Sequence, residues 1–379
     1  MDQRPRVAGL RRAIGLVLIA LALAVVVLQL RTRRIGDPPI RASIAPVPTG
    51  AVMSPADGSN PHDVLVLIAA GDIACAPGSS ATSTGCHQAA TSKLIAASPG
   101  VDPIAVLLLG DTQYESGRSQ EYASFDATWG AALRAMPETV IAPVAGNHEW
   151  YDPDAPRGTC TFQHDGRAAC GFESYFGDAA FAGDASDGAG SYARIFAKGS
   201  AHPLVVIMID AGVCEHDQAV CAADGTATRF LAATLQDARV NPPSACTIVA
   251  WHQARWSDVG HGNIDYVDPL WRALFHVPSA QRPDLVLNGH DHVYERMRPL
   301  GPGGQPDPGG IPEIVAGAGG REISGVPYTG AVPSRAAFVD LQHFGVLRIE
   351  HDPVTGGLTT SFHTDSEVAV DRLNMTCRT

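Results

Sequence analysis

Positive charge is scarce in this chain. Lys93 and Lys198 are its only lysines, Lys and Arg together number 27 against 39 Asp and Glu, and the formal net charge is −12. No cluster of Lys or Arg occurs after residue 34. A protein that grips a phosphate backbone needs a basic face, so general nucleic-acid binding is not expected. Self-similarity at a solenoid period is lacking too, which removes repeat architectures. No C-x-x-C…C-x-x-C pattern is present, so a structural zinc module is absent from the sequence. What remains is 379 residues, 45% hydrophobic, with 39 Gly and 28 Pro, enough to bury one large core or two ordinary ones, a single sizeable domain being the simplest reading.

The N-terminal 62 residues differ from the rest. Residues 1–12 form a basic tail with Arg4, Arg6, Arg11 and Arg12. Ala13–Leu30, AIGLVLIALALAVVVLQL, is uncharged, and as a helix it would rise roughly 27 Å, close to a bilayer's hydrocarbon thickness. It reads as a transmembrane signal-anchor, with a cleaved signal peptide as the alternative. The run ends in Leu30-Arg31-Thr32-Arg33-Arg34 rather than in small residues, which favours retention. Arg11-Arg12 also fits a twin-arginine export signal, although a bare Arg pair is a weak one. Residues 31–62 are rich in Pro, Ser and Ala and read as a linker, leaving residues 63–379 as the folded domain.

The cysteines point the same way. Cys75, Cys86, Cys160, Cys170, Cys214, Cys221, Cys246 and Cys377 are even in number and read as disulfides of an exported protein. Closeness in sequence favours the pairs 75–86, 160–170 and 214–221, which leaves Cys246 for Cys377, among about 105 possible pairings. The expected location is the cell membrane, single-pass with the domain extracytoplasmic, or secreted if the N-terminal segment is cleaved.

Within the domain, short continuous apolar runs read as buried strands at Val64–Ala70, Ile104–Leu109, Val140–Val144, Leu204–Ile209, Thr247–Ala250 and Asp284–Leu287. Helical spacing appears around 87–97, 119–135, 226–239 and 265–276. The last third, at 312–317, 335–341, 343–350 and 357–363, reads as strands without helices between them. The fold class is therefore α/β, layered with two sheets rather than one doubly wound sheet.

Chemistry gathers where the strands end. Gly71-Asp72, Gly110-Asp111-Thr112-Gln113-Tyr114, Gly146-Asn147-His148-Glu149, Trp251-His252 and Gly289-His290-Asp291-His292 each follow an apolar run. A Gly-Asp after a strand is usually a turn, and a lone His-x-His is usually incidental. Five such clusters in order are a different matter, because α/β sites form outside the carboxyl ends of strands. Asp, Asn, Tyr and His donors at one edge suit hard or borderline metal ions.

The motifs GDxx, GDxxY, GNHE, VxxH and GHDHxYER, spanning positions 72 to 296, resemble the calcineurin-like metallophosphoesterases, and their purple acid phosphatase branch in particular. The wider superfamily has Asp-x-His in the first motif, but Ala74 stands at the third position here and cannot coordinate. Tyr114 supplies the missing donor in the resemblance. The implied fold is an α-β-β-α sandwich of two central mixed sheets flanked by helices. The resemblance implies two metal ions, one on Asp72, Asp111, Tyr114 and His292, the other on Asn147, His252 and His290, with Asp111 bridging. A phenolate suits Fe(III), so that ion is expected at Tyr114, with Fe(II), Zn or Mn beside it. The implied activity is hydrolysis of small phosphate esters, monoesters first, by a metal-bound hydroxide without a covalent intermediate. Phosphodiester or nucleotide hydrolysis and a catalytically silent metal-binding role are the alternatives.

Several neighbouring residues carry open readings. His148 is a phosphate contact or the acid for the leaving alkoxide, unless it is a structural histidine. His261, on the Gly-containing loop Trp256–Gly262, reaches substrate or is merely exposed. Glu295 and Arg296 resemble the tail of the family's His motif, or form a structural ion pair orienting the loop. Gly317–Gly320 reads as a place of close backbone approach, since no helix clearly follows it for a phosphate cradle.

Overall fold

Alternation along the strands divides the apolar side chains between two faces. In β1 (Leu65–Ala70), Leu65, Leu67 and Ala69 turn one way while Ile68 and Ala70 turn the other. The computed structural model describes residues 63–96, 102–152, 160–164, 167–180, 185–187, 190–323 and 335–378. The basic tail 1–12, the apolar run 13–30 and the linker 31–62 lie outside the described residues. Among the described residues no helix is long and apolar enough to cross a membrane.

The longer strands that follow β1 are β2 (Ala105–Leu108), β3 (Val140–Pro143), β4 (Tyr192–Phe196), β5 (Leu204–Met208), β6 (Cys246–Gln253), β7 (Leu285–Gly289), β8 (Tyr294–Met297), β9 (Glu313–Ala316), β10 (Ala336–Asp340), β11 (Gly345–Asp352), β12 (Gly357–Thr364) and β13 (Ala369–Thr376). The first sheet has the order β13-β12-β11-β1-β2-β3. The second runs β10-β8-β9-β7-β6-β5-β4, closed at its edge by the two-residue strand Ala185–Ser186. β1, β2 and β3 are parallel, as are β5, β6, β7 and β9, so their carboxyl ends emerge together.

Leu65, Leu67 and Leu107 of the first sheet share a core with Leu204, Val206, Ile248, Leu287 and Ile314 of the second. The other faces carry Ile68, Val106, Val205, Ile207 and Val249. These cluster with helices α1 (Gln88–Ala96), α2 (a run of Ala123–Phe125, a π turn at Asp126–Gly130 and Ala131–Arg134), α3 (Cys170–Phe176), α4 (Thr226–Gln236) and α5 (Asp268–Ala273). This is the layered sandwich of two mixed sheets with helices outside. The strand and helix spacings of the sequence reappear within a few residues, but β4, β8, β13 and α3 carried no recognisable signal. β4 breaks its apolar run with Arg194, and β13 is an edge strand whose alternate residues are exposed.

Disulfides join Cys75–Cys86, Cys160–Cys170, Cys214–Cys221 and Cys246–Cys377, the pairs that sequence proximity favours. Three clip loops, whereas the last closes 131 residues and ties the end of β13 to the start of β6. Closing so long a loop restricts the unfolded chain most, by roughly 5 kcal/mol in the chain-entropy picture.

Leu107 is fully buried between the sheets. Leu107→Ala is expected to cost about 2–5 kcal/mol in equilibrium denaturation. Val368→Ala, at a side chain 54% exposed, should stay within about 0.5 kcal/mol.

Candidate metal centre

Seven donor side chains converge at the carboxyl ends of the parallel strands. Asp72 follows β1, Asp111 and Tyr114 follow β2, Asn147 follows β3, and His290 and His292 follow β7. His252 lies inside β6 rather than after it, one residue before the strand ends. Asp72, Asp111 and His290 hold φ of 59, 47 and 72°, the left-handed region that non-glycine residues avoid. Each such residue costs of order 1–3 kcal/mol and is kept only where its surroundings impose it.

Two sets of contacts emerge. Tyr114 Oη lies 2.8 Å from Asp72 Oδ1, 2.9 Å from Asp111 Oδ2 and 3.0 Å from His292 Nε2. Asn147 Oδ1 lies 3.0 Å from His252 Nε2 and 3.2 Å from His290 Nδ1. Asp111 Oδ2 touches both sets, since His252 Nε2 is 3.3 Å away. Asp72, Asp111 and His252 keep their donor atoms within 4.8 Å of one another.

Hydrogens are too few for these contacts. A phenol has one, so Tyr114 cannot donate to both carboxylates at once. His252 Nδ1 is 2.8 Å from the Leu109 carbonyl and must carry a hydrogen there, which in the neutral ring leaves Nε2 a bare lone pair facing Asp111 and Asn147. Crowded acceptors of this kind are a donor set for cations, and carboxylate, phenol, amide oxygen and imidazole fit hard or borderline ions.

Titration behaviour follows. Burial resists charge on Asp111, but His252 and His148 outweigh it and hold the carboxyl well below its usual range. Burial also lowers His252 and His292, yet Asp111 raises the first to about 9, and Asp72 with Glu322 raises the second to about 10. Burial and the neighbouring Asp111 and Asp72 push the Tyr114 phenol far above its ordinary value. His290 goes the other way, since burial and then His252 and His261 push its imidazole well below the ordinary value.

His148 and His261 border this cluster. His148 Nδ1 is 2.7 Å from the Glu115 carbonyl, which turns Nε2 toward Asp111 Oδ2 at 3.9 Å. His261 is exposed, its ring centroid 4.6 Å from that of His290, and its backbone N–H is held by Asp291.

Glu149 received no role from the sequence, although it completes the GNHE motif. It is fully buried and accepts from Gly146 N at 2.7 Å, Asp111 N at 2.9 Å, and Thr112 N and Oγ1 at 2.7 and 2.9 Å. It thereby ties the loops after β2 and β3. Burial, then Asp111, push its carboxyl up against those donors. Glycines make the approach possible. A Cβ on Gly146 would sit 2.1 Å from Asp111 Oδ1, and one on Gly317 would sit 2.1 Å from Asp291 O and 2.7 Å from Asp72 Oδ2. Close approach is therefore the role of the Gly317 segment.

Glu295 and Arg296 do not pair. Neighbours on a strand face opposite ways. Arg296 meets Asp371 at 2.6 Å, while Glu295 accepts from Ser257 Oγ at 3.1 Å and Asp258 N at 3.2 Å. Glu313 accepts from Arg255 N at 3.1 Å and Trp256 N at 3.2 Å, so two buried carboxylates pin the His261 loop. A second group, Cys246, His351 and Cys377, is close enough for a metal, but both sulfurs are committed to a disulfide.

Burial pushes Glu295 and Glu313 each up to about 8. A carboxyl raised on folding contributes stability that is present at low pH and lost as pH rises toward the folded value. The melting temperature is therefore expected to fall between about pH 5 and 8. Glu295→Gln with Glu313→Gln should flatten that fall, measured by calorimetry. Gly146→Ala should displace Asp111 and strip metal from the purified protein, read by elemental analysis.

The geometry sits within a known family. The profile of the calcineurin-like phosphoesterases matches residues 61–294. A purple acid phosphatase from yellow lupin (Lupinus luteus) seeds superposes with a TM-score of 0.53 at 19% identity, covering 83% of this chain and 54% of that one. The chain thus spans about half of the lupin enzyme's length. GAP50, the anchor in the inner membrane complex of Plasmodium, superposes with a TM-score of 0.56 at 14% identity, covering 83% and 90%. No curated protein sequence matches significantly. Family profile, fold and converging donors agree that the chain belongs to the calcineurin-like phosphoesterase family.

Proposed function

We propose that this phosphoesterase is a dinuclear enzyme of the purple acid phosphatase type, hydrolysing small phosphate monoesters outside the cytoplasm. The observation that carries the reading is the Tyr114 hydroxyl, set between Asp72, Asp111 and His292 where Ala74 offers no imidazole. Asp72, Asp111, Tyr114 and His292 would hold Fe(III), and Asn147, His252 and His290, with Asp111 shared, would hold Fe(II), Zn or Mn. When bound, such ions supply Lewis acidity toward phosphoryl oxygens and acidify water.

The chain's own residues do the rest. Asp111 orients both ligand sets through one oxygen. The carbonyl of Glu115 takes the His148 Nδ1 hydrogen, so Nε2 faces the site, and in the doubly protonated ring it is placed to give a proton to a leaving alkoxide and return to the neutral tautomer. His261, exposed beside His290, is placed to hold a phosphate oxygen from the solvent side. The extracytoplasmic location rests on the apolar run 13–30 and the four disulfides.

An iron-loaded preparation should be coloured, because phenolate on a ferric ion gives a visible charge-transfer band. Tyr114→Phe is expected to remove the colour and to weaken metal retention by more than the roughly 10–100-fold typical of outer-shell partners. An active, oxidised, iron-loaded enzyme without colour, or an unchanged spectrum in Tyr114→Phe, would point to a Zn or Mn phosphoesterase instead. A substrate panel across pH separates monoesters from diesters, and fractionation with N-terminal sequencing separates an anchored product from a secreted one.

A further inference from the structure

An asparagine can turn either an oxygen or an NH2 group toward a metal, and only the oxygen is a ligand. At Asn147 the oxygen faces His252 and His290, while Nδ2 donates to Tyr151 Oη at 2.9 Å. Tyr151 in turn donates to Glu215 Oε1 at 2.6 Å. A carboxylate only accepts, so the single phenolic hydrogen goes to Glu215. Tyr151 Oη is then left to accept, and within the protein the NH2 side of Asn147 supplies that hydrogen. Polarity runs one way along the chain.

The opposite orientation has its own attraction. Once the ring gives up its Nε2 proton, as any metal ligand must, His252 Nε2 is a bare lone pair, because Nδ1–H is committed to the Leu109 carbonyl. A flipped Asn147 would donate NH2 to that nitrogen, turning both groups away from a metal. We propose that Tyr151 and Glu215 are positioning residues that exclude this flipped state and hold the Asn147 oxygen toward the second ion. The inference rests on the dinuclear reading above. The parts are built for it. Asn147 and Tyr151 are four residues apart across the turn His148–Tyr151, and Glu215 ends the turn Gly212–Glu215, clipped by Cys214–Cys221.

The test is a titration of Zn(II) into metal-depleted full-length protein against a competing chelator, for the wild type, Tyr151→Phe, Glu215→Gln and the double variant. Tyr151→Phe is expected to weaken the second ion about tenfold or more, with the first within about twofold. Glu215→Gln, which can donate as well as accept, should weaken the second ion less. The double variant should bind no worse than Tyr151→Phe, because Glu215 acts only through the phenol. A purely structural role would shift both ions together or add in full, and either result overturns the pair, as does unchanged second-ion affinity in both single variants. A wild type that binds one ion sinks the dinuclear reading and this inference with it. Two ions, a selective loss in Tyr151→Phe and no turnover of any phosphoester would uphold the pair and sink the phosphatase reading alone.

Discussion

The crowding of polar atoms around Asp111 Oδ2, with fewer hydrogens than lone pairs among them, is the constraint on which the site depends. That oxygen lies 2.9 Å from Tyr114 Oη, 3.3 Å from His252 Nε2 and 3.9 Å from His148 Nε2. Buried atoms of like polarity repel more strongly than they would in water, so they stay together only if positive charge is shared among them and the backbone leaves no exit. The raised imidazoles and the raised phenol describe one condition from several sides: protons are drawn to positions that cations would take over.

The backbone removes the exit at several points. Three of the converging donors, Asp72, Asp111 and His290, sit in the left-handed region; Glu149 clamps the amides of Gly146, Asp111 and Thr112 around one of them, and the Asp72 carboxylate accepts from His290 N at 2.8 Å, tying the other two. A buried carboxylate is unfavourable alone, yet here, gathering backbone and side-chain donors from both, it makes two loops one rigid piece. Gly146 and Gly317 let main chain pass where any side chain would strike a ligand carboxylate. The strand ends fix direction, the carboxylate fixes spacing, and the glycines grant proximity.

Much of this was legible in the sequence, because strand-end motifs combine two local signals. An apolar run marks a buried parallel strand, and a Gly-ligand step marks its exit toward the site; neither needs long-range information. The disulfides were legible for the same reason, since three of the four close short loops. The failures are contacts between side chains whose directions sequence does not encode. Glu295 and Arg296 look like partners because they are neighbours, and a strand sends neighbours to opposite faces. Tyr151 and Glu215 are 64 positions apart, and nothing in either segment announces the other. Glu149 was visible inside its motif, but only the fold shows that it gathers amides from two loops.

The two ligand sets also divide the fold in an informative way. Asp72, Asp111, Tyr114 and Asn147 hang from the first sheet, whereas His252, His290 and His292 hang from the second. Each proposed ion therefore takes donors from both sheets, and neither sheet alone offers a complete set. Ligand spacing is then a reading of how the sheets pack. Leu107 meets residues of the opposite sheet four positions before Asp111. Interiors packed at crystal-like density pass small displacements on rather than absorbing them, so inter-sheet side chains far from any ligand help set the distance across which Asp111 must reach. The apolar core and the polar centre are one mechanical object, and the first fixes the tolerance of the second.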